Sequence, residues 1–217
     1  MDKNIKTLID GHNDFQSVKF TKNKKRFKEL VEKGQNPKAL FIGCSDSRVM
    51  PAMITSSSPG DLFIARNIGN FVAPYNPDSS YHATAAAIEY AVSVLEVSDI
   101  IVCGHSECGA IAALFKEIEP NDENLHTIKW LELGESAKRS ALLSLKGKPH
   151  KEILDYTERV SVIFQLDNLL SYPAVKRRVE SGKLFLHGWH YDIKNGKIEY
   201  YDEESYEFRE LTEKNSD

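Results

Sequence analysis

Two cysteines and a histidine follow short apolar runs in this sequence, at spacings that suit a metal site. Cys44 comes directly after the run ALFIG, and His105 and Cys108 belong to the segment GHSECG, which follows DIIVC. In a parallel sheet flanked by helices, ligands collect at the carboxyl ends of the strands. If these two runs form neighbouring strands, two sulfurs and one imidazole converge at one edge of the sheet. Such ligands favour zinc over magnesium or calcium.

Three protein ligands would leave the fourth tetrahedral position open, which distinguishes a catalytic zinc site from a structural one. Spacing alone leaves less reactive roles open, because a buried cysteine often serves as a small apolar residue, and a histidine after a strand often only forms hydrogen bonds. We expect Cys103, inside the second apolar run, to be such a packing residue. A structural or redox-sensing zinc module is the alternative, and Cys103 would then be its fourth ligand.

A pair of opposite charges lies just beyond the first cysteine. The segment CSDSR places Asp46 and Arg48 two and four residues after Cys44. An exposed pair of this kind contributes little to stability, but the apolar flanks FIG and VMP predict partial burial. There the guanidinium of Arg48 would keep Asp46 ionised and oriented. A carboxylate fixed beside a metal-bound water can accept its hydrogen bond and guide its proton.

The elements that must position these residues are those of an α/β protein. Apolar runs at 39–43, 60–65 and 99–103 predict buried strands, and the stretches at 83–97 and 109–118 predict helices. Strands that alternate with helices in this way favour a parallel sheet covered by helices.

Both ends of the chain carry further elements. Residues 1–35 have helical periodicity and predict an N-terminal helical arm. The helical pattern returns from 122 to 170, and Asn195-Gly196 between alternating apolar runs predicts a C-terminal β-hairpin. The fold class is therefore α/β, with a central, mostly parallel β-sheet flanked by helices, and we expect a single domain over residues 1–217.

Composition and charge limit the classes of partner. The 217 residues are 41% hydrophobic and 28% charged, which is ordinary for a globular protein with its own core. The net charge is −4 without a basic stripe, so nucleic acid is not an expected partner. We see no secretory signal and no segment with the roughly 20 apolar residues that span a bilayer. Three cysteines suit a reducing compartment, so we expect a cytoplasmic protein without a membrane partner.

The motif CSDSRV and, further along the chain, GHSECG together resemble the β-class carbonic anhydrases. The likeness extends through GDLFIARNIGNFVAPY and ATAAAIEYAV to LHGWHYDIKNGKI, so it covers most of the chain. It implies a zinc lyase that reversibly hydrates carbon dioxide to bicarbonate and a proton, by attack of a zinc hydroxide. Cys44, His105 and Cys108 match the ligands of the family's single Zn²⁺ per subunit. Asp46 and Arg48 match its catalytic dyad.

Finer matches indicate the plant-like subclass of that family. Gln35 matches a glutamine that binds substrate or anion there, and Phe63, Ile68 and Tyr90 match the lining of the pocket. Phe41 stands where the bicarbonate-inhibited subclass has a tryptophan. The resemblance also implies a homodimer or homotetramer, with the pocket at a subunit interface and N-terminal helices that embrace the partner.

The same motifs are compatible with other details of the chemistry. A relative that acts on carbonyl sulfide or carbon disulfide would have the same zinc ligands. If Arg48 released Asp46, that carboxylate could itself occupy the fourth zinc position and close the site. His82, His187 and His190 are candidates for carrying the product proton, although packing or surface roles explain each more simply.

Overall fold

A computed structural model describes residues 2–212, and a six-stranded sheet forms its centre. The helices are α1 (Lys3–Asp14), α2 (Thr21–Lys33), α3 (Pro51–Ile54), α4 (Ala83–Ser93), α5 (Gly109–Leu114), α6 (Leu125–Leu131), α7 (Glu135–Ser144), α8 (His150–Leu170) and α9 (Pro173–Glu180). The strands are β1 (Ala39–Cys44), β2 (Leu62–Asn67), β3 (Asp99–His105), β4 (Phe185–Tyr191), β5 (Ile198–Asp202) and β6 (Glu207–Glu210).

The sheet order is β2-β1-β3-β4-β5-β6. The pairings of β1 with β2, β1 with β3 and β3 with β4 are parallel, and the last two are antiparallel. Gly43 pairs with Cys103, so the carboxyl ends of β1 and β3 lie side by side. This confirms the expected α/β class with a mostly parallel sheet, and it confirms that the two motif-bearing strands are neighbours.

Side chains of β1 and β3 are buried on both faces of the sheet, which explains why their sequences are continuously apolar. Leu40 and Ile42 are fully buried in a cluster with residues of α4, α8 and α9. Phe41, Ile101 and Cys103 form a second buried cluster. A fully buried aliphatic or aromatic side chain contributes roughly 1.5–3 kcal/mol, so these two strands are firmly anchored.

The 21-residue helix α8 lies close against β3 and β4. Gly104 and Gly188 make this approach possible, because a Cβ at either position would meet Val162 at 2.8 or 3.0 Å. The approach brings residues of α8 under the loop that follows β3. No helix within residues 2–212 combines the length and the apolar character needed to cross a membrane.

The N-terminal arm is helical, as expected, but it contains a π-helical segment at Phe15–Phe20 that the sequence pattern does not predict. No residue of α1, of this segment or of α2 is buried. Arg26 connects the arm to the loop before β2, by donating to the Pro59 carbonyl at 3.0 Å and pairing with Asp61 at 3.1 Å. Large apolar side chains of the arm are exposed: Ile5, Leu8, Ile9, Val18 and Val31.

The C-terminal hairpin is present, with β4 and β5 antiparallel on either side of Asn195-Gly196. A sixth strand, β6, extends the sheet beyond the predicted hairpin. The helices predicted at 83–97 and 109–118 are shorter than expected and end at Ser93 and Leu114.

Candidate metal centre

The carboxyl ends of β1 and β3 bring Cys44, His105 and Cys108 together. One ligand atom from each residue lies within 4.8 Å of the other two, and all three residues are buried. His105 Nδ1 lies 2.9 Å from the Ser106 carbonyl, which fixes Nδ1 as the protonated nitrogen. Nε2 is buried without a hydrogen-bond partner among residues 2–212. A histidine that binds a metal through one nitrogen typically donates the other N–H in this way, so the residues fit zinc.

Hydrogen bonds converge on the sulfur of Cys44. The backbone N–H groups of Asp46 and Gly69 each donate to Sγ at 3.4 Å. Contacts with the Cys108 thiol and the His105 ring, together with these two amides, lower the pKa of Cys44 in spite of its burial. The hydrogen bond with Cys44 and burial raise the pKa of Cys108. The site therefore stabilises negative charge on the Cys44 sulfur, as a zinc ligand requires.

Cys103 lies outside this cluster. It packs with Phe41 and Ile101 in the second buried cluster, and burial raises the pKa of its thiol to about 12. Among residues 2–212, the group able to hold a metal consists of Cys44, His105 and Cys108 without it. The fourth thiol that a closed structural zinc site needs is therefore not supplied by Cys103.

Asp46 and Arg48 form a two-pronged ion pair next to the cluster. Arg48 Nε donates to Oδ1 at 2.9 Å, Arg48 Nη2 donates to Oδ2 at 2.7 Å, and the Arg48 backbone N–H also donates to Oδ1 at 2.9 Å. These bonds hold the pKa of Asp46 well below its usual range. Arg48 also donates to the Glu107 carbonyl at 3.1 Å. It therefore joins the loops that follow β1 and β3, and in this arrangement it holds both oxygens of Asp46.

Arg66 of β2 braces the same loop from the other side. Its Nε donates to the Cys44 carbonyl at 2.9 Å and its Nη2 donates to the Asp46 carbonyl at 2.6 Å. The backbone N–H of Ser45 adds a hydrogen bond to the Asn67 carbonyl at 2.7 Å. The path of the chain from Cys44 to Asp46 is thus fixed by β2.

A tight turn after β2 supplies one of the donors to Cys44. Gly69 has φ +78°, a left-handed conformation that favours glycine, and a Cβ there would lie 2.9 Å from both Ala110 and Phe71. The preceding carbonyl, on Ile68, accepts a hydrogen bond from Trp130 Nε1 at 2.7 Å. Neither Gly69 nor Trp130 was identified from the sequence as part of the site.

A buried carboxylate of α8 supports the loop after β3. Glu158 accepts a hydrogen bond from the Cys108 backbone N–H at 3.2 Å, and its other oxygen lies 3.3 Å from His190 Nε2. Both side chains are almost fully buried. Glu158 was also missed from the sequence, because it lies fifty residues away from Cys108. His190 is thus held by Glu158, while His82 and His187 pair with Asp78 and Asp99.

The four predicted substrate-binding residues do not gather around this cluster within one chain. Ile68 adjoins Gly69 and lines a cavity of about 1030 Å³. Phe63 and Tyr90 pack together with ring centroids 5.8 Å apart. Phe63 lies four residues before Asn67, the partner of Cys44, which is about 13 Å along the strand. Gln35 precedes β1 and is exposed at the same amino end of the sheet.

Known proteins share this fold and these motifs. A family model described as carbonic anhydrase matches residues 39–198, which include both motifs. The solved structure of the β-carbonic anhydrase CcaA has a TM-score of 0.91 and 36% sequence identity, and the match covers 97% of this chain and 93% of that one. The chain belongs to the β-carbonic anhydrase family. This membership confirms the expected zinc-dependent lyase that interconverts carbon dioxide and bicarbonate.

Other β-carbonic anhydrase relatives cover nearly the whole chain. A carbonic anhydrase of Pseudomonas aeruginosa is 42% identical over 209 residues, which are 96% of this chain and 93% of the relative. A tetrameric β-carbonic anhydrase of the filamentous ascomycete Sordaria macrospora has a TM-score of 0.80 at 30% identity, over 92% of this chain and 97% of its own. β-Carbonic anhydrases are zinc enzymes, and the cluster of two sulfurs and one imidazole is suited to that ion.

Proposed function

We propose that this chain hydrates carbon dioxide at a zinc site held by Cys44, His105 and Cys108, with Asp46 and Arg48 orienting the attacking water. The observation that carries the proposal is the buried three-ligand cluster directly beside a two-pronged ion pair. Zinc in such a site supplies a hydroxide nucleophile from water near neutral pH. The remaining work falls to the side chains around it.

Asp46 acts as a hydrogen-bond acceptor that aims the water. A carboxylate has about four acceptor positions, and Arg48 fills two on Oδ1 and one on Oδ2. The open position on Oδ2 can accept a hydrogen from the attacking water. Because its pKa is depressed, Asp46 stays ionised and accepts this hydrogen bond without itself carrying a proton.

The substrate pocket is completed by a second copy of the chain. Gln35 and Phe63 lie at the amino end of the sheet, whereas Cys44 lies at the carboxyl end, so one chain alone does not surround the substrate. The chain also exposes 14089 Å², whereas a folded monomer of 24.5 kDa exposes roughly 10,000 Å². The excess surface supports a homodimer or a larger homo-oligomer, with Phe63, Ile68 and Tyr90 lining an apolar pocket for carbon dioxide.

The proposal places the enzyme in a reducing compartment, namely the cytoplasm. Its three cysteines are all free, and protein thiols stay reduced in the cytosol. A reducing setting also keeps Cys44 and Cys108 available to the metal.

Zinc content and stopped-flow hydration of carbon dioxide, measured on the same preparations, test these roles. We expect the native chain to hold one zinc and to be active, and Cys44→Ser to lose both properties. Asp46→Asn should keep its zinc and lose about 100-fold in kcat, because a misplacement of the attacking water by about 1 Å costs that much.

Cys103→Ser is the matched control, since it removes a buried thiol outside the cluster, and it should keep both zinc and activity. Loss of zinc in Cys103→Ser, or a zinc-loaded native chain that does not hydrate carbon dioxide, would contradict the proposal. A parallel assay with carbonyl sulfide distinguishes the alternative substrate, because turnover of that compound alone would reassign the reaction.

A further inference from the structure

We infer that Trp130 is a positioning residue for the zinc ligand Cys44 and that it acts through the Ile68–Gly69 peptide. Trp130 Nε1–H donates to the Ile68 carbonyl oxygen at 2.7 Å. The N–H of the same peptide unit, on Gly69, donates to Cys44 Sγ at 3.4 Å. A single peptide therefore connects the indole to the sulfur, and the inference rests on the proposed role of Cys44 as a ligand.

The direction of this relay follows from the donors themselves. An indole N–H is only a donor, and a backbone N–H is likewise only a donor, so no assignment of proton positions is needed. A hydrogen bond accepted by a peptide oxygen polarises the amide and strengthens the bond that its N–H donates. Gly69 and Cys44 are both buried, and the low dielectric there increases this coupling. Trp130 thus strengthens the hydrogen bond that the Gly69 N–H donates to the Cys44 sulfur.

The surrounding packing leaves the peptide little freedom to adapt. Gly69 has no space for a Cβ, because Ala110 and Phe71 lie 2.9 Å from that position. Trp130 packs against the same apolar cluster that contains Phe71 and Cys44. Rotation of the peptide would break both of its hydrogen bonds at once. Cys44 has a second amide donor, from Asp46 in its own loop, whereas the Gly69 donor depends on a helix that is distant in the sequence.

Two replacements separate the hydrogen bond from the ring. Trp130→Phe removes the N–H together with part of the ring. Replacement of Trp130 by benzothienylalanine, in which sulfur takes the place of the ring N–H, removes the donor and keeps the shape. Trp189→Phe is the control, because Trp189 is the second tryptophan of the chain and packs edge-on against Phe41 at 6.3 Å, in the second buried cluster, which contains none of the three ligands.

Two measurements report on the ligand without relying on catalysis. The first is the zinc dissociation constant, obtained by competition with a chelator; we expect both Trp130 replacements to weaken binding about 10-fold, the usual effect of losing a group that orients a ligand. The second is the sulfur-to-cobalt charge-transfer band of the cobalt(II)-substituted enzyme. We expect that band to move to longer wavelength, because a sulfur that accepts a weaker hydrogen bond holds its electrons less tightly.

Native values of both quantities in the benzothienylalanine enzyme would overturn the inference, even if Trp130→Phe were impaired, because the ring and not its N–H would then matter. Equal changes in Trp189→Phe would overturn it as well. A failure of the underlying assignment of Cys44 as a ligand is seen separately, since Cys44→Ser would then bind cobalt and keep the sulfur-to-cobalt band of the unsubstituted enzyme.

Discussion

Asp46 illustrates how much one neighbouring residue can do to a carboxylate in this protein. Three N–H groups of Arg48 donate to it, and its side chain is 18% exposed while that of Arg48 is 48% exposed. Many surface ion pairs hold two mobile side chains and contribute little. Here the backbone of Arg48 contributes one of the bonds, and Arg66 fixes the loop that carries Asp46. The ion pair is therefore organised before any substrate arrives.

The depressed pKa of Asp46 predicts a contribution to acid stability. A carboxyl whose pKa is lower in the folded chain than in the unfolded chain stabilises the fold at pH values above the unfolded pKa, which is about 3.9 for aspartate. That contribution is lost as the pH falls toward the lower folded value. We expect the melting temperature of the native chain to exceed that of Asp46→Asn by a constant margin above about pH 5 and the margin to shrink below about pH 4.

Calorimetry of both chains from pH 2 to 7, each stripped of zinc beforehand, measures this margin without a contribution from metal release. A margin that stays unchanged down to pH 2 would mean that ionisation of Asp46 does not stabilise the fold.

At the scale of single residues, the sequence predicted the groups that belong to the two motifs and missed those that support them. Cys44 and His105 end apolar strands, Asp46 and Cys108 follow shortly after, and the parallel sheet brings such strand ends together. Glu158 lies on helix α8, and local spacing in the sequence does not indicate how this helix is aligned against the sheet. That register depends on glycines such as Gly104, which let the helix approach.

Among the elements, the turn after β2 has the strictest sequence requirement. Gly69 combines a left-handed backbone with the absence of space for a side chain. This turn was not identified from the sequence, and only the fold shows that the Gly69 N–H reaches the Cys44 sulfur.

Gly69→Ala should therefore destabilise the protein by about 2 kcal/mol or more, because a left-handed conformation costs roughly 1–2 kcal/mol and overpacking adds to it. The matched control is Gly147→Ala, since Gly147 has φ +81° and a Cβ added there would meet nothing within 4 Å, which isolates the backbone cost. Urea denaturation followed by fluorescence measures both. Equal losses in the two variants would show that crowding at Gly69 is unimportant.

Elements with strong apolar patterns were predicted well, and weakly patterned ones were not. The runs that became β1, β2 and β3 are buried or lie next to buried strands. The sequence of β6, EFRE, is short and mostly charged, as is common at a protected sheet edge, so alternation could not identify it. The helix predicted at 83–97 was too long because Glu96 takes a left-handed conformation with φ +51°, which ends the helix, while Leu95 and Val97 still pack in the core as the periodicity requires.

At the scale of the whole molecule, the N-terminal arm is the part whose large apolar side chains a single chain leaves exposed. Residues of α1 and α2 are not buried, and Leu8 and Val31 are 69% and 85% exposed within the described chain. An amphipathic helix of this kind stabilises a protein only when its apolar face packs against something. A second copy of the chain is the proposed cover.

Leu8→Glu should weaken the oligomer, because Leu8 is 69% exposed in one chain and belongs to the apolar stripe with Ile5 and Ile9. Thr7→Glu adds the same charge one residue away, on the polar side of α1, and serves as the control. Sedimentation velocity at micromolar concentration should show smaller species for Leu8→Glu than for Thr7→Glu. Identical sedimentation of the two variants would remove the arm from the proposed interface.

The side-by-side placement of β1 and β3 also has a consequence for biosynthesis. As the chain leaves the ribosome, Cys44 emerges well before His105 and Cys108, and it stays a lone thiol until the later strand has been made and has joined the earlier one. Pairing of parallel strands from distant segments is slow, so the metal site is complete only after β1 and β3 have paired. Once bound, a zinc ion links the ends of β1 and β3, which were synthesised at different times.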